Sequence, residues 1–237
     1  MSFFLLVVLA ALPAYLLGSV NGAIITSKYF YKKDIRKYGS GNPGLTNFYR
    51  VFGKGGTLAV VAIDVLKTFA PVIFGGWLFA RFTEMAMSEY WLFGQYADMA
   101  LSEYWIFSWL FDLSLFGLAL SGFFVVLGHC FPAFYGFKGG KGVMAVGAIL
   151  IVLDWRVALI SWGLFIIVTV LTRFVSLGAI AGGVAFPTGV AVVGIGGVSE
   201  IVLATMCALL VIARHGPNIR RLIKGEESRF SFRRSKE

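Results

Sequence analysis

The sequence predicts an all-α integral membrane protein, a seven-transmembrane-helix bundle with the N-terminus outside and the C-terminus cytosolic. Three observations carry that prediction. Hydrophobic residues make up 58% of the 237-residue chain and charged residues 14%, and the mean hydropathy is +0.82, whereas soluble domains hold about a quarter charged residues. The chain divides into long charge-free runs, and its basic residues gather on one side of them. Such a composition excludes collagen, disorder and a disulfide scaffold. With about 20 apolar residues needed per crossing, the spans leave no room for a separate soluble catalytic domain. The reading is one membrane-embedded domain over 1–237, with its chemistry at the bilayer.

Charge-bounded runs place the helices at 2–25, 57–80, 109–129, 142–153, 156–172, 174–198 and 200–214. The first has no basic n-region and carries no charge from Met1 to Ser27, too long for a cleaved signal peptide, so it reads as a retained anchor. The second holds Asp64 and Lys67 three residues apart. An ionisable pair in hydrocarbon is costly unless it faces the bundle interior, as a structural ion pair or as a functional lysine. The fourth covers only about 18 Å at ~1.5 Å per residue. It needs Trp155 and Arg156 at one end and a snorkelling Lys141 at the other. Cys207 lies in an apolar run and Cys130 beside a basic loop, so two free thiols are expected.

Basic residues set the orientation. Lys28, Lys32, Lys33, Arg36, Lys37, Arg50, Lys54, Lys138, Lys141, Arg173 and the eight of the tail from Arg214 to Lys236 all fall on one side, 18 of the 21. Arg81 and Arg156 fall on the other, and Lys67 is within a helix. The positive-inside rule makes the rich side cytosolic and requires an odd number of crossings. The outside loop carries a repeat: Glu84-Met-Ala-Met-Ser-Glu-Tyr-Trp-Leu-Phe93 recurs as Asp98-Met-Ala-Leu-Ser-Glu-Tyr-Trp-Ile-Phe107. An offset of 14 residues keeps helical apolar stripes in phase, and the aromatics suit a membrane-interface helix. It reads as a duplicated insertion at about 84–107.

The unusual polar residues sit in three cytosolic segments. Gly39-Ser-Gly-Asn-Pro-Gly-Leu-Thr-Asn47 formally matches G-x-G-x-x-G, but no strand precedes it and no βαβ unit surrounds it, so a dinucleotide fold is rejected. Its glycines let backbone N–H groups approach an anion, and Ser40, Asn42, Thr46 and Asn47 add donors. A helix starting after Pro43 would put Asn47, Arg50 and Lys54 on one face. In the second segment, Gly128-His129 leads to Lys138-Gly139-Gly140-Lys141-Gly142. This is no Walker A motif, since the spacing fails, yet two lysines in a glycine-rich turn opening a helix make a phosphate cradle. The third runs from Arg214-His215 through Asn218 to Glu226-Glu227, with His215 and Asn218 on one face if the helix continues past Pro217.

No Cys/His/Asp/Glu cluster has metal spacing and no G-x-S-x-G elbow occurs. Neither histidine is followed four residues later by Asp. Basic residues spread over membrane loops do not suit nucleic acid. What remains is a cation-rich pocket where a small phosphorylated molecule meets a lipidic one. A transporter gated by Asp64 and Lys67, or a scaffold using the aromatic repeat, are the rival readings.

These motifs, together with Arg173-Phe-Val-Ser-Leu177, closely resemble the PlsY family of bacterial acyl-phosphate:glycerol-3-phosphate acyltransferases. The resemblance implies a seven-helix bundle in the bacterial inner membrane, with a cytosolic active site that moves an acyl group from acyl phosphate to the 1-hydroxyl of glycerol 3-phosphate. The products are lysophosphatidic acid and inorganic phosphate, made for phospholipid synthesis without a cofactor or metal. Carried over residue by residue, it implies substrate or phosphate binding by Ser40, Asn42, Thr46, Asn47, Arg50, Lys67, Lys138, Gly139, Gly140, Lys141, Ser176, Asn218 and Glu227. Catalytic roles fall to Ser40, His129, Lys141 and His215, with membrane lipid around them. The proton acceptor is His129, His215 or the substrate's phosphate. The chain departs from the family pattern at the 84–107 insertion, at Ala179 where a second serine is usual, at Thr68 where glycine is usual, and at Gly216-Pro217.

Overall fold

The computed structural model describes residues 2–92 and 113–230, all helix and connecting turns. The ten α-helices among them are α1 (Phe3–Gly18), α2 (Gly22–Tyr31), α3 (Leu45–Phe52), α4 (Thr57–Leu92), α5 (Leu113–Cys130), α6 (Val143–Leu153), α7 (Trp155–Thr172), α8 (Val175–Val193), α9 (Val198–Arg214) and α10 (Gly216–Ile223). Five helical stretches are long and apolar enough to cross a membrane: Phe3–Tyr31, Thr57–Met85, Leu113–Tyr135, Trp155–Thr172 and Val175–Val193. The α9–α10 pair, bent by 58°, makes a sixth. This is a multi-pass membrane protein. The 11 residues of α6 reach about 16 Å at ~1.5 Å per residue, roughly half of a bilayer core.

Helix α5 is the hub, packing against α1, α4, α6 and α9, while α7 pairs with α8 and α8 with α9. Val126, Ile149, Phe186 and Val211 meet in the core between α5, α6, α8 and α9. Lipid supplies no hydrophobic drive for helix pairing, so close approach at small residues has to hold the bundle. Gly128 shows this: a Cβ there would stand 2.2 Å from the Tyr15 carbonyl oxygen of α1. Cys130 and Cys207 are buried free thiols, as the sequence suggests.

Three boundaries differ from the sequence reading. The first apolar run breaks after Gly18, where Asn21 caps α2 by accepting from the Ile24 N–H at 2.9 Å, and helix then continues to Tyr31. Helix α3 stops at Phe52 because Gly53 turns left-handed at φ 73°, so Lys54 does not share a helical face with Asn47 and Arg50. Helix α4 runs on to Leu92 through most of the first repeat copy. The second copy, 98–107, lies outside the described residues.

Candidate active site

Turns from separate helices converge at one end of the bundle around a cavity of about 650 Å³. They are the segment between α2 and α4, the α5–α6 turn, the start of α8 and the chain from His215 to Phe230. Arg36, Arg50, Lys138, Lys141, Arg214 and Arg221 line it against two carboxylates among the described residues, Asp64 and Glu227. Such an excess of cations in a concave, partly desolvated space selects an anion.

The first wall is built by Asn47. Its Oδ1 accepts from the Ser40 N–H at 2.9 Å, and its Nδ2 donates to the carbonyls of Tyr38 at 3.0 Å and Asn42 at 3.1 Å. Buried as it is, the Asn47 amide is spent on shaping the glycine-rich loop, leaving Ser40, Asn42, Thr46 and Arg50 on the cavity side. The rings of Tyr31, Phe48 and Phe52 stack α3 onto α2, with centroids 4.5 to 5.8 Å apart. Asn21 also donates to the Pro43 carbonyl at 3.0 Å, tying this loop to the α1–α2 break.

The second wall is the Lys138–Lys141 turn. Lys138 and Lys141 line the cavity, Lys138 exposed and Lys141 partly buried. The glycines between them serve close packing: a Cβ on Gly139 would stand 2.1 Å from the His129 carbonyl oxygen, and one on Gly140 would stand 2.2 Å from His129 Nε2. Gly140 donates its N–H to that same carbonyl at 3.0 Å. Arg214 clasps the turn, donating to the carbonyls of Gly140 at 3.0 Å and Gly139 at 2.8 Å, with its guanidinium over the Phe131 ring at 5.2 Å.

The third wall is a polar chain across four segments. Lys141 Nζ donates to Asn218 Oδ1 at 2.5 Å, and Asn218 Nδ2 donates to Glu227 Oε1 at 2.6 Å. That oxygen also accepts from Ser176 Oγ at 2.7 Å, while Arg221 Nε donates to Oε2 at 2.7 Å. Arg50 joins the tail by donating to Ser228 Oγ at 3.1 Å. Burial pushes the Lys141 ammonium down to about 8; Glu227 opposes the shift, and Arg221, Arg50 and Arg214 add to it. Burial would raise the Glu227 carboxyl, but hydrogen bonds from Asn218, Ser176 and Arg221, and the charge of Arg221, hold it below its ordinary value.

The two histidines and Lys67 sit deeper. Lys67 Nζ contacts Asp64 Oδ1 at 2.8 Å, the Val20 carbonyl at 2.5 Å and His129 Nδ1 at 2.9 Å. Lys67 and Gly140 are not among the lining residues, whereas His129, His215, Ser176, Asn218 and Glu227 are. His215 lies at the break between α9 and α10, its Nδ1 2.8 Å from the Val211 carbonyl. Helix α9 thus does not run on past Pro217; a new helix starts there and swings Asn218 toward Lys141. Arg36 and Arg221, placed by the sequence only among the cytosolic basic residues, and Arg214, at the head of the third segment, also line the cavity. Arg214 stands directly before His215 in the third segment, and that adjacency was the available signal.

The sequence matches the glycerol-3-phosphate acyltransferase family over residues 8–225. It is 34% identical over 222 residues to the glycerol-3-phosphate acyltransferase of Thermoanaerobacter pseudethanolicus, covering 94% of each chain. It is 32% identical over 228 residues to that of Staphylococcus carnosus, covering 96% of this chain and 100% of the other. The fold is similar to a crystal structure of PlsY, an integral membrane glycerol 3-phosphate acyltransferase, in its glycerol 3-phosphate form. There the TM-score is 0.74 and the identity 30%, over 95% of this chain and 96% of that one. For the lysophosphatidic acid form the TM-score is 0.71 and the identity 29% over 95% of each chain.

Proposed function

The chain belongs to the glycerol-3-phosphate acyltransferase family, and on that premise we propose that its cavity brings acyl phosphate and glycerol 3-phosphate together and transfers the acyl group. The observation that carries the reading is the convergence of Arg50, Lys138 and Lys141 from separate turns on one cavity holding few carboxylates. Both substrates are anions, so their mutual repulsion is the first barrier, and pre-placed positive charge lowers it.

In the proposed reaction the 1-hydroxyl oxygen of glycerol 3-phosphate attacks the acyl carbonyl carbon. An ester C–O bond forms as the hydroxyl O–H breaks, its proton going to His129, His215 or a substrate phosphate, while the C–O bond to phosphate breaks and its electron pair leaves on phosphate. Lysophosphatidic acid and inorganic phosphate result. Acyl phosphate is already activated, so a strong general base is less needed. Arg50 offers a bidentate fork to a phosphate and Lys141 a point charge. Ser40, Asn42 and Thr46 supply donors on the same wall as Arg50, and Ser176, Asn218 and Glu227 hold Lys141 in place. Direct transfer suits the site better than an acyl-enzyme, since the Ser40 side chain has no hydrogen-bonded base among the described residues. Val143, Met144, Phe165, Val175 and Ala179 line the cavity's apolar side, where the acyl chain would enter from lipid.

We further propose seven crossings in the bacterial inner membrane, with the cavity facing the cytosol, because the basic turns lie at that end. The test is purified full-length enzyme with acyl phosphate and glycerol 3-phosphate, read as phosphate release and lysophosphatidic acid formation. Lys141→Ala and Arg50→Ala should each cost about 10²–10³ in kcat/KM. Near-normal rates in both would remove the site assignment, and glycerol-3-phosphate flux across sealed vesicles without phosphate release would replace an acyltransferase with a transporter.

A further inference from the structure

Helix α10 has two faces, and only one of them meets the rest of the protein. On the cavity side, Asn218 accepts from Lys141 Nζ at 2.5 Å and donates to Glu227 Oε1 at 2.6 Å, and Arg221 Nε donates to Glu227 Oε2 at 2.7 Å. The other side is bare. Ile223 is 81% exposed, and Arg220 and Lys224 beside it are exposed too. Among the described residues neither of these basic side chains has a hydrogen bond or an ion pair.

What covers the bare side follows from where the helix starts. Helix α9 has 17 residues and reaches about 26 Å at ~1.5 Å per residue, most of a ~30 Å hydrocarbon core. The chain then bends by 58° and α10 begins at Gly216, which puts α10 at the level of the lipid headgroups. The exposed positions keep step through the bend. Leu209, Ala213, Pro217, Arg220 and then Ile223 and Lys224 follow one another at intervals of three or four, the spacing of one helical face. The face that α9 turns to lipid therefore continues along α10, where it gains two cations. An apolar side chain flanked by basic ones is how a helix lies on an anionic bilayer, with the long stems snorkelling to the phosphates.

We propose that the outer face of α10 is a docking surface for anionic lipid headgroups at the cavity end of the bundle. Ile223 enters the acyl boundary, Arg220 and Lys224 hold lipid phosphates, and the contact seats the helix so that Asn218 on its inner face keeps hold of Lys141. One basic residue beside a charged bilayer is worth about fivefold in attachment, so the pair favours the seated helix by roughly 25-fold. Lipid composition then reaches the cavity through a single short helix. The docking surface stands on geometry alone; its effect on phosphate binding through Lys141 rests on the acyl-transfer reading.

Two measurements on the full-length protein in nanodiscs test this. Ile223→Cys changes an exposed side chain, and Cys130 and Cys207 are buried, so a nitroxide attaches at one place. In discs containing phosphatidylglycerol its relaxation should respond more to oxygen than to a water-soluble nickel chelate, at a depth of about 5–10 Å. A label fully open to the chelate overturns the docking surface, whether or not the enzyme turns over. The second measurement compares Arg220→Gln/Lys224→Gln with the unaltered protein in neutral phosphatidylcholine discs and in discs with phosphatidylglycerol, read as the KM for glycerol 3-phosphate. Repulsion between substrate and bilayer acts on both proteins and cancels in their ratio. That ratio should be near one in neutral lipid and about three to ten in anionic lipid, with kcat changed less. An equal increase in both lipids would make the two cations a lure for substrate and overturn lipid docking as their role. A ratio near one in both would uncouple α10 from Lys141 and overturn the seating. A lipid-buried label in a protein that transfers no acyl group would leave the docking surface standing and remove the acyl-transfer reading instead.

Discussion

At the scale of single residues, Lys141 concentrates the site's energetics. Its ammonium is held down to about 8 by burial, because desolvation penalises the charged form. An anionic ligand reverses that penalty, so binding takes up a proton at higher pH. The KM for glycerol 3-phosphate should therefore stay flat below about pH 8 and rise above it, approaching tenfold per unit. Lys141→Arg keeps the charge to beyond pH 12 and should flatten that alkaline limb. A limb that survives in the arginine variant would assign it to another group. The sign for stability is opposite. A cation whose folded value lies below its ordinary 10.5 binds fewer protons folded than unfolded between about 8 and 10.5. Its contribution to the stability of the ligand-free protein rises with pH across that window. Glu227 works in the other direction on the same chain of contacts. It accepts from Asn218, Ser176 and Arg221, so Glu227→Gln should weaken the hold on Lys141 and raise KM several-fold more than it changes thermal stability. Equal effects on both would reduce it to a structural role. The residue types at these positions were readable from sequence, because two lysines among glycines and a lone acidic pair in a basic tail are improbable as plain loop. Their assignments were not. That Asn47 spends its amide on backbone, and Glu227 on three donors, depends on partners up to 51 residues away.

Elements explain how such partners come within reach. The close crossing of α1 and α5 at Gly128 leaves no room for a methyl group, with 2.2 Å between its would-be Cβ and the Tyr15 carbonyl. Neither backbone can yield without moving His129 next door. Gly128→Ala should cost about 1–3 kcal/mol by overpacking and lower activity as well, read by denaturant titration in micelles and by turnover. A variant as stable as wild type would show that the crossing relaxes freely. Helix existence was legible here because charge-free runs bounded by basic turns have few alternatives in lipid. Helix breaks were less so. Gly18-Ser19 and Asn21-Gly22 are turn and cap signals, but in a charge-free run they do not settle a stop, since the break is stabilised from outside, by Lys67 on the Val20 carbonyl and by Asn21 reaching Pro43. The fold of the tail back over the cavity was equally hidden. It is fixed over long range by Ser176 on Glu227, by Arg50 on Ser228 and by the Phe230 N–H donating to the Arg173 carbonyl at 2.7 Å.

For the whole molecule, connectivity carries the argument that helix length leaves open. Residues from the C-terminal ends of α5 and α9 and from the N-terminal ends of α6 and α8 line one cavity, together with the segment that follows α2. Each helix between these points must therefore leave that end or return to it. Helices α6 and α7 form an outward and a return leg even though α6 has only 11 residues, and the same reasoning places Phe3 at the end opposite the cavity. We propose that these are seven legs, with Phe230 beside the cavity, and that the basic turns put the cavity end in the cytosol. The measurement is labelling of single introduced thiols in intact spheroplasts with a membrane-impermeant maleimide. Cys130 and Cys207 are 0% and 2% exposed and give a low background. Lys54→Cys and Lys224→Cys, at exposed positions near the cavity end, should label only after permeabilisation, and Arg81→Cys, about 36 Å along α4 from Thr57 at ~1.5 Å per residue, should label without it. Labelling of Lys224→Cys with Arg81→Cys before permeabilisation would break the odd number of crossings, and a full reversal would put the cavity outside, where a reaction fed by cytosolic phosphate esters could not run.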